Sequence, residues 1–276
     1  MWLALAMALA FDVLDSPPLV HFDLLEDGAI VVPVTVEGQG PFRFLLDTGA
    51  SRSVVTESLA RRVGAAHGAA MMMLTPGGQR GMQPAARVGT LQIGPVRAVD
   101  LLVTRVEDDL LKAAKDVEGI VGQDILAQAA YTIDYRRRSV VWHLDGTIPA
   151  GTRLRLDMAG GRALVSLPQR SDHEAALRMI PDTGTDALVL FARAGRRLPS
   201  VTPLDIALLR TVSGHQLVRR ALLDRFYAGE IEFGNVTASI VERRDTNTAD
   251  GDGLLPLHMF SAVTFDVANG FLVLQR

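Results

Sequence analysis

Two short stretches of this chain place an aspartate where it could do chemistry. Phe44-Leu45-Leu46-Asp47-Thr48-Gly49-Ala50-Ser51 and Met179-Ile180-Pro181-Asp182-Thr183-Gly184-Thr185 each run from an apolar segment into Asp-Thr-Gly. The aspartates stand 135 residues apart in a chain of 276, a spacing that fits two similar halves each contributing one carboxyl. Two carboxyls held face to face cannot both ionise comfortably, so they share a proton. One can then take a proton from water while the other gives one to a leaving group. Hydrolysis of a resonance-stabilised amide by a neutral nucleophile needs that combination. Asp-Thr-Gly alone is also an ordinary turn, because Asp and Gly are turn formers. The duplication and the apolar lead-ins argue against that reading.

The segments around each triplet recur in the same order, as in a tandem repeat. Ahead of the first, Ile30–Val36 alternates and is β-branched, a Gly38-Gln39-Gly40-Pro41 turn follows, and residues 42–46 lead into Asp47. That pattern predicts a hairpin feeding the loop. Ahead of the second, residues 163–167 and 175–180 predict two strands joined through Ser171, Asp172 and His173. A short helix is expected over 56–63, with Leu59 and Val63 on one face. Gly-bearing turns come next, Pro76-Gly77-Gly78 and Ser213-Gly214. The spacing then aligns Gly89 to Val96 with Gly229 to Val236. Each half closes on a Gly-apolar-apolar segment, Gly119-Ile120-Val121-Gly122 and Gly253-Leu254-Leu255-Pro256. Two further apolar strands follow in each. Many short strands with one small helix per lobe read as a mainly β protein, with a boundary in the turn at 145–149.

Composition narrows the chemistry. The hydrophobic fraction of 48% and charged fraction of 21% suit an ordinary globular chain long enough for two cores. A net charge of −3 gives no electrostatic footprint for nucleic acid. Cysteine is absent, which removes disulfides, thiolate zinc and thiol catalysis. The six histidines have no metal-ligand spacing, and no G-x-S-x-G elbow, P-loop or dinucleotide fingerprint occurs. The acidic run at 245–252 and Arg136-Arg137-Arg138 read as solvated connections. Met71-Met72-Met73 reads either as adaptable pocket lining or as the start of a buried strand. Residues 1–17 are apolar and carry Ala8-Leu9-Ala10, like a signal-peptidase site, but lack a basic start. They read as an export leader or as a short apolar element.

The chain from about Pro18 onward resembles the pepsin/retropepsin superfamily of aspartic proteases. The resemblance rests on the two Asp-Thr-Gly loops, on Asp47-Thr48-Gly49-Ala50-Ser51 after apolar residues, and on Ile120-Val121-Gly122 before a short helix. It implies a two-lobed acid-protease fold, with residues 18–146 and 147–276 each forming a closed retropepsin-like β-barrel. It implies Asp47 and Asp182 as the catalytic pair around a shared water. Thr48, Gly49, Ala50 and Ser51, with Thr183, Gly184 and Thr185, would support the loops, and the two threonines would bond across the lobe interface. It further implies a peptide or protein substrate in the inter-lobe cleft, no cofactor, no metal, a working monomer, and a periplasmic or secreted location. Two residues depart from the pattern. Asp186 stands where the first copy has Ser51, and would raise the pair's pKa values if it pointed inward. Pro256 stands in place of Gly122 and has no N–H to donate.

Overall fold

A computed structural model of the chain describes residues 18–26, 28–74, 80–111, 114, 116–168, 176–195, 201–211, 214–241 and 251–276. Residues 1–17, read as a leader or a short apolar element, lie outside these, as do Pro76-Gly77-Gly78, Ser171-Asp172-His173, Ser213 and residues 245–250 of the acidic run.

The first half opens with β1 (Leu19–His21), β2 (Asp23–Leu24), β3 (Ile30–Val36) and β4 (Gln39–Leu46). Alternating burial along β3 follows its β-branched pattern, with Val32, Val34 and Val36 inside. After the Asp47 loop come β5 (Val54–Thr56) and α1 (Glu57–Arg62). Thr56 caps α1, its hydroxyl accepting from Leu59 N at 3.2 Å. Then follow β6 (Ala66–Leu74), β7 (Arg80–Ile93), β8 (Val96–Val106), β9 (Gly119–Val121), α2 (Gln123–Leu126), β10 (Tyr131–Asp134) and β11 (Ser139–Trp142). The first lobe thus has α1 within the expected 56–63 and α2 directly after Ile120-Val121-Gly122. Met72 on β6 is exposed beside its partner Met82, so it does not start a buried strand.

The second half repeats the order with β12 (Thr152–Ala159), β13 (Arg162–Leu167), β14 (Leu177–Asp182), β15 (Leu188–Phe191) and α3 (Ala192–Gly195). It continues through β16 (Val201–Thr211), β17 (Gly214–Ala228), β18 (Ile231–Val241), β19 (Gly253–Pro256), β20 (Ala262–Asp266) and β21 (Phe271–Gln275).

The repeat holds pairing by pairing. β4 lies parallel to β9 and β14 to β19; β5 lies parallel to β8 and β15 to β18. The antiparallel pairs β5–β9 and β15–β19, then β7–β8 and β17–β18, match in the same way. In the first lobe Thr35↔Gln92 and Val36↔Leu91 close the sheet on itself. Among the described residues no ladder pairing between β13 and β17 does the same in the second.

Register corrects one alignment. The β7–β8 turn is at Gly94 (φ 52°) and the β17–β18 turn at Gly229 (φ 65°), so these two glycines correspond. Gly89 and Gly234 fall inside strands. A left-handed turn position requires glycine, whereas mid-strand glycines only imitate the spacing.

β1, β11, β10, β20, β21 and β12 form an antiparallel run to which each half contributes three strands. At its centre Thr132 pairs with Thr264, their hydroxyls 2.7 Å apart, and Tyr131 stacks on Phe265 with centroids 4.9 Å apart. This locates a pseudo-twofold axis between the lobes. One apolar core, including Phe44, Leu46, Tyr131, Leu255 and Phe265, runs through both halves.

Candidate active site

Each aspartate sits at the end of a strand that another strand passes in parallel. Asp47 N donates to Val121 O at 3.0 Å, and β9 runs on through Gly122. A Cβ on Gly122 would fall 2.7 Å from the Arg52 carbonyl carbon, so only glycine lets the chain pass there. From this crossing the first loop is held at several points. Gly122 N donates to Ser53 Oγ at 3.1 Å, and Ser53 donates from Oγ and N to Asp124 at 2.7 and 2.9 Å. Gln123 donates through N to Ala50 O and through Nε2 to Thr48 O, both at 2.9 Å.

Register places Leu188, Pro256, Leu257 and His258 where the first lobe has Ser53, Gly122, Gln123 and Asp124. The N–H and the hydroxyl that received it are thus both missing from the second lobe, so neither leaves the other stranded.

The loops meet on the axis. Thr48 N donates to Thr183 Oγ1 and Thr183 N to Thr48 Oγ1, each at 3.1 Å. Each hydroxyl in turn donates across to the other half, Thr48 to Pro181 O at 2.8 Å and Thr183 to Leu46 O at 2.6 Å. Both threonines are buried. Every donor and acceptor in this four-bond ring is satisfied by the opposite half, which fixes the two loops as one unit.

That ring brings Asp47 and Asp182 together. A Cβ at position 49 would lie 2.7 Å from Asp182 Cγ, and one at position 184 would lie 3.4 Å from Asp47 Cγ. Glycine at position 49 therefore makes room for the other loop's carboxyl, whereas a Cβ at position 184 would press mainly on Asp182 of its own loop, at 3.1 Å from Oδ1. The two carboxyls lie close enough for the Asp47 charge to act on Asp182. Asp182 is 7% exposed and Asp47 only partly exposed.

Burial pushes the Asp47 carboxyl above the ordinary aspartate range, opposed by N–H bonds from Gly49 (2.9 Å) and Ala50 (3.0 Å) and by the charge of Arg162. Asp182 is pushed well above it, by burial first and then by the Asp47 charge; Gly184 N at 2.6 Å opposes. Two backbone donors on Asp47 against one on Asp182 put the shared proton on Asp182.

The other site residues predicted from the sequence fall around this centre. Thr185 does not reach the pair: its hydroxyl donates to Ala187 O at 2.9 Å and accepts from Ala187 N, closing a turn. Ser51 packs under the Gly160-Gly161 turn of the second lobe. Asp186 is exposed and acts on His258, so the inward orientation considered for it does not occur. Burial lowers the His258 pKa, with Asp186 opposing. Sequence reading missed Arg162, whose Nε donates to Gly49 O at 3.1 Å, and Gln123 beneath Thr48. A cation directly after the Gly160-Gly161 turn, where the first lobe has Ala29 after Gly28, was the available signal.

A family model described as aspartyl protease matches residues 32–125, within the first lobe. The resemblance to the aspartic proteases holds. Over the whole chain the fold is similar to that of basic 7S globulin from soybean. There the TM-score is 0.53 at 11% identity, over 93% of this chain and 94% of that one. It is similar also to conglutin gamma, a basic 7S globulin from lupine seeds, with a TM-score of 0.51 at 10% identity over the same shares. A retropepsin-like aspartic protease from Rickettsia conorii matches 45% of this chain and 87% of its own, with a TM-score of 0.32 and 18% identity. No curated protein sequence matches. The chain thus has a two-lobed, mainly β acid-protease fold, with residues 32–125 similar to the aspartyl-protease family.

Proposed function

We propose that the protein is an aspartic endopeptidase in which Asp47 and Asp182 activate a water between them. The observation that carries this reading is the buried carboxyl pair, one member from each half, locked by the Thr48–Thr183 ring. Asp47, better supplied with N–H donors, takes the proton of the attacking water. Asp182 donates its proton to the substrate carbonyl oxygen; as the C–N bond breaks, the proton on Asp47 passes to the amide nitrogen and a hydroxyl of the tetrahedral intermediate returns one to Asp182. An extended peptide in the cleft between lobes is the substrate, and residues 18–146 and 147–276 act as the two lobes. Because one chain supplies both carboxyls, the monomer is the working unit. The test is a peptide-library digest with wild type and Asp47→Asn. Cleavage by wild type alone supports the reading; cleavage by both, or by neither, removes it.

A second reading is a peptide-binding protein of the same fold with a weakened site. It draws on the loss of the Gly122–Ser53–Asp124 network from the second lobe and on two similar folds being named globulins rather than proteases. Binding of peptides that wild type leaves intact would favour it.

A further inference from the structure

We propose that Arg162 is a positioning residue that makes Asp47 the ionised member of the pair, acting through the Gly49–Ala50 peptide group. The inference rests on Asp47 and Asp182 being the reacting pair. Arg162 Nε donates to Gly49 O at 3.1 Å, and that oxygen belongs to the same amide whose N–H, on Ala50, donates to Asp47 Oδ1 at 3.0 Å. A cationic donor on the oxygen draws electron density across the amide and strengthens its N–H as a donor. Two bonds to one amide also fix its plane, so Asp47 meets an oriented dipole that needs no rearrangement as charge develops.

The arrangement is one-sided. Val32 pairs with Phe44 and Val165 with Met179, and Phe44 and Met179 each stand three residues before their aspartate. Counting back along β3 and β13 sets Ala29 opposite Arg162, so the first lobe offers no cation there. The turn bearing Arg162 is seated on the first loop, for a Cβ on Gly161 (φ 79°) would lie 3.2 Å from Ser51 Cβ. The Arg162 charge is felt by both carboxyls, and its Nε bonds to the first loop. Other charged or titratable groups nearby are Tyr135, whose ionisation Asp182 opposes, Arg52, which acts on Asp124, and the Asp186–His258 pair.

The test separates charge from hydrogen bond. Arg162→Gln sets an amide nitrogen at the chain position of Nε and keeps a donor without the charge; Arg162→Met removes both. Carboxyl carbons of 13C-aspartate-labelled protein are titrated by NMR, assigned with Asp47→Asn and Asp182→Asn, beside the pH profile of peptide cleavage. In wild type Asp47 ionises before Asp182. In Arg162→Met the Asp47 ionisation moves up by about one pH unit, and the acid limb of kcat moves with it while KM changes less than about twofold. Arg162→Gln restores the order of ionisation. Melting curves establish that the variants fold, and Arg162→Ala replaces Met if that variant does not.

An Asp47 titration unchanged by removing the side chain overturns the proposal. Arg162→Gln behaving as Arg162→Met overturns the relay through the amide. Ordered titration in a wild type that cleaves no peptide leaves the role of Arg162 standing and removes the protease reading instead.

Discussion

The two Asp-Thr-Gly loops agree where they touch each other and differ where they touch their own lobes. Across the axis the bonds of Thr48 and Thr183 match one for one. Behind the axis the first loop rests on Ser53, Gly122, Gln123 and Asp124, and the second on Leu188, Pro256, Leu257 and His258. The difference shows which constraints are shared. A group that completes its partner's hydrogen bond cannot change alone, whereas a network internal to one lobe can be exchanged for apolar packing if donor and acceptor leave together.

The largest test of the comparison is to remove each carboxyl in turn. Asp47→Asn and Asp182→Asn should each lower kcat by about a thousandfold or more, because base and acid act as a unit. Stability should move the other way at neutral pH. Both carboxyls have raised folded pKa values, Asp182 the more so, through burial. A carboxyl of that kind adds stability while protonated, at low pH, and loses it as pH rises through the folded value. Asp182→Asn should therefore melt a few degrees higher than wild type near pH 7, and Asp47→Asn should gain less. The gain should vanish at acid pH. Melting curves at both pH values check this, and equal gains for the two variants would break the inferred asymmetry.

Thr48→Val and Thr183→Val come next. Each strands one N–H and one carbonyl of the opposite lobe in a buried site, costing about 2–4 kcal/mol. The two losses should agree in urea unfolding, since the ring is symmetric. A loss confined to one variant would mean the lobes are not equally held.

Much of this was legible in the residues. Apolar lead-in, Asp-Thr-Gly and the later Gly-apolar-apolar strand recur because each is locally constrained: glycine where strands cross, threonine where a hydroxyl must face the other half. Arg162 was legible only as a cation after the Gly160-Gly161 turn, because its partner is a backbone carbonyl of Gly49, which has no sequence signature. Asp186 was ambiguous because a loop aspartate faces inward or outward according to its neighbours, and here it is exposed, where its charge acts on His258. The alignment of Gly89 with Gly229 failed because glycine marks turns and open strand positions alike.

The smallest expected effects lie in the networks behind the loops, and they bear on whether the second lobe is weakened. Ser53→Ala leaves Gly122 N–H without its acceptor and takes from the Asp124 carboxyl one of its two Ser53 donors, costing about 1–3 kcal/mol. Pro256→Gly, at the matching place, frees an N–H where Leu188 offers no acceptor. It should cost about 1–3 kcal/mol, by leaving that N–H unpaired in a buried strand and by loosening the unfolded chain. Peptide cleavage by Pro256→Gly should stay within about twofold of wild type, because the Thr183 bonds that place Asp182 do not pass through position 256. Unfolding curves and kcat/KM for the two variants make the comparison. A gain in cleavage on replacing Pro256 would show that the proline holds the second loop away from its best geometry, and would favour the weakened peptide-binding reading. Unchanged cleavage with a small stability loss would mean the second lobe traded one support for another without disturbing its carboxyl.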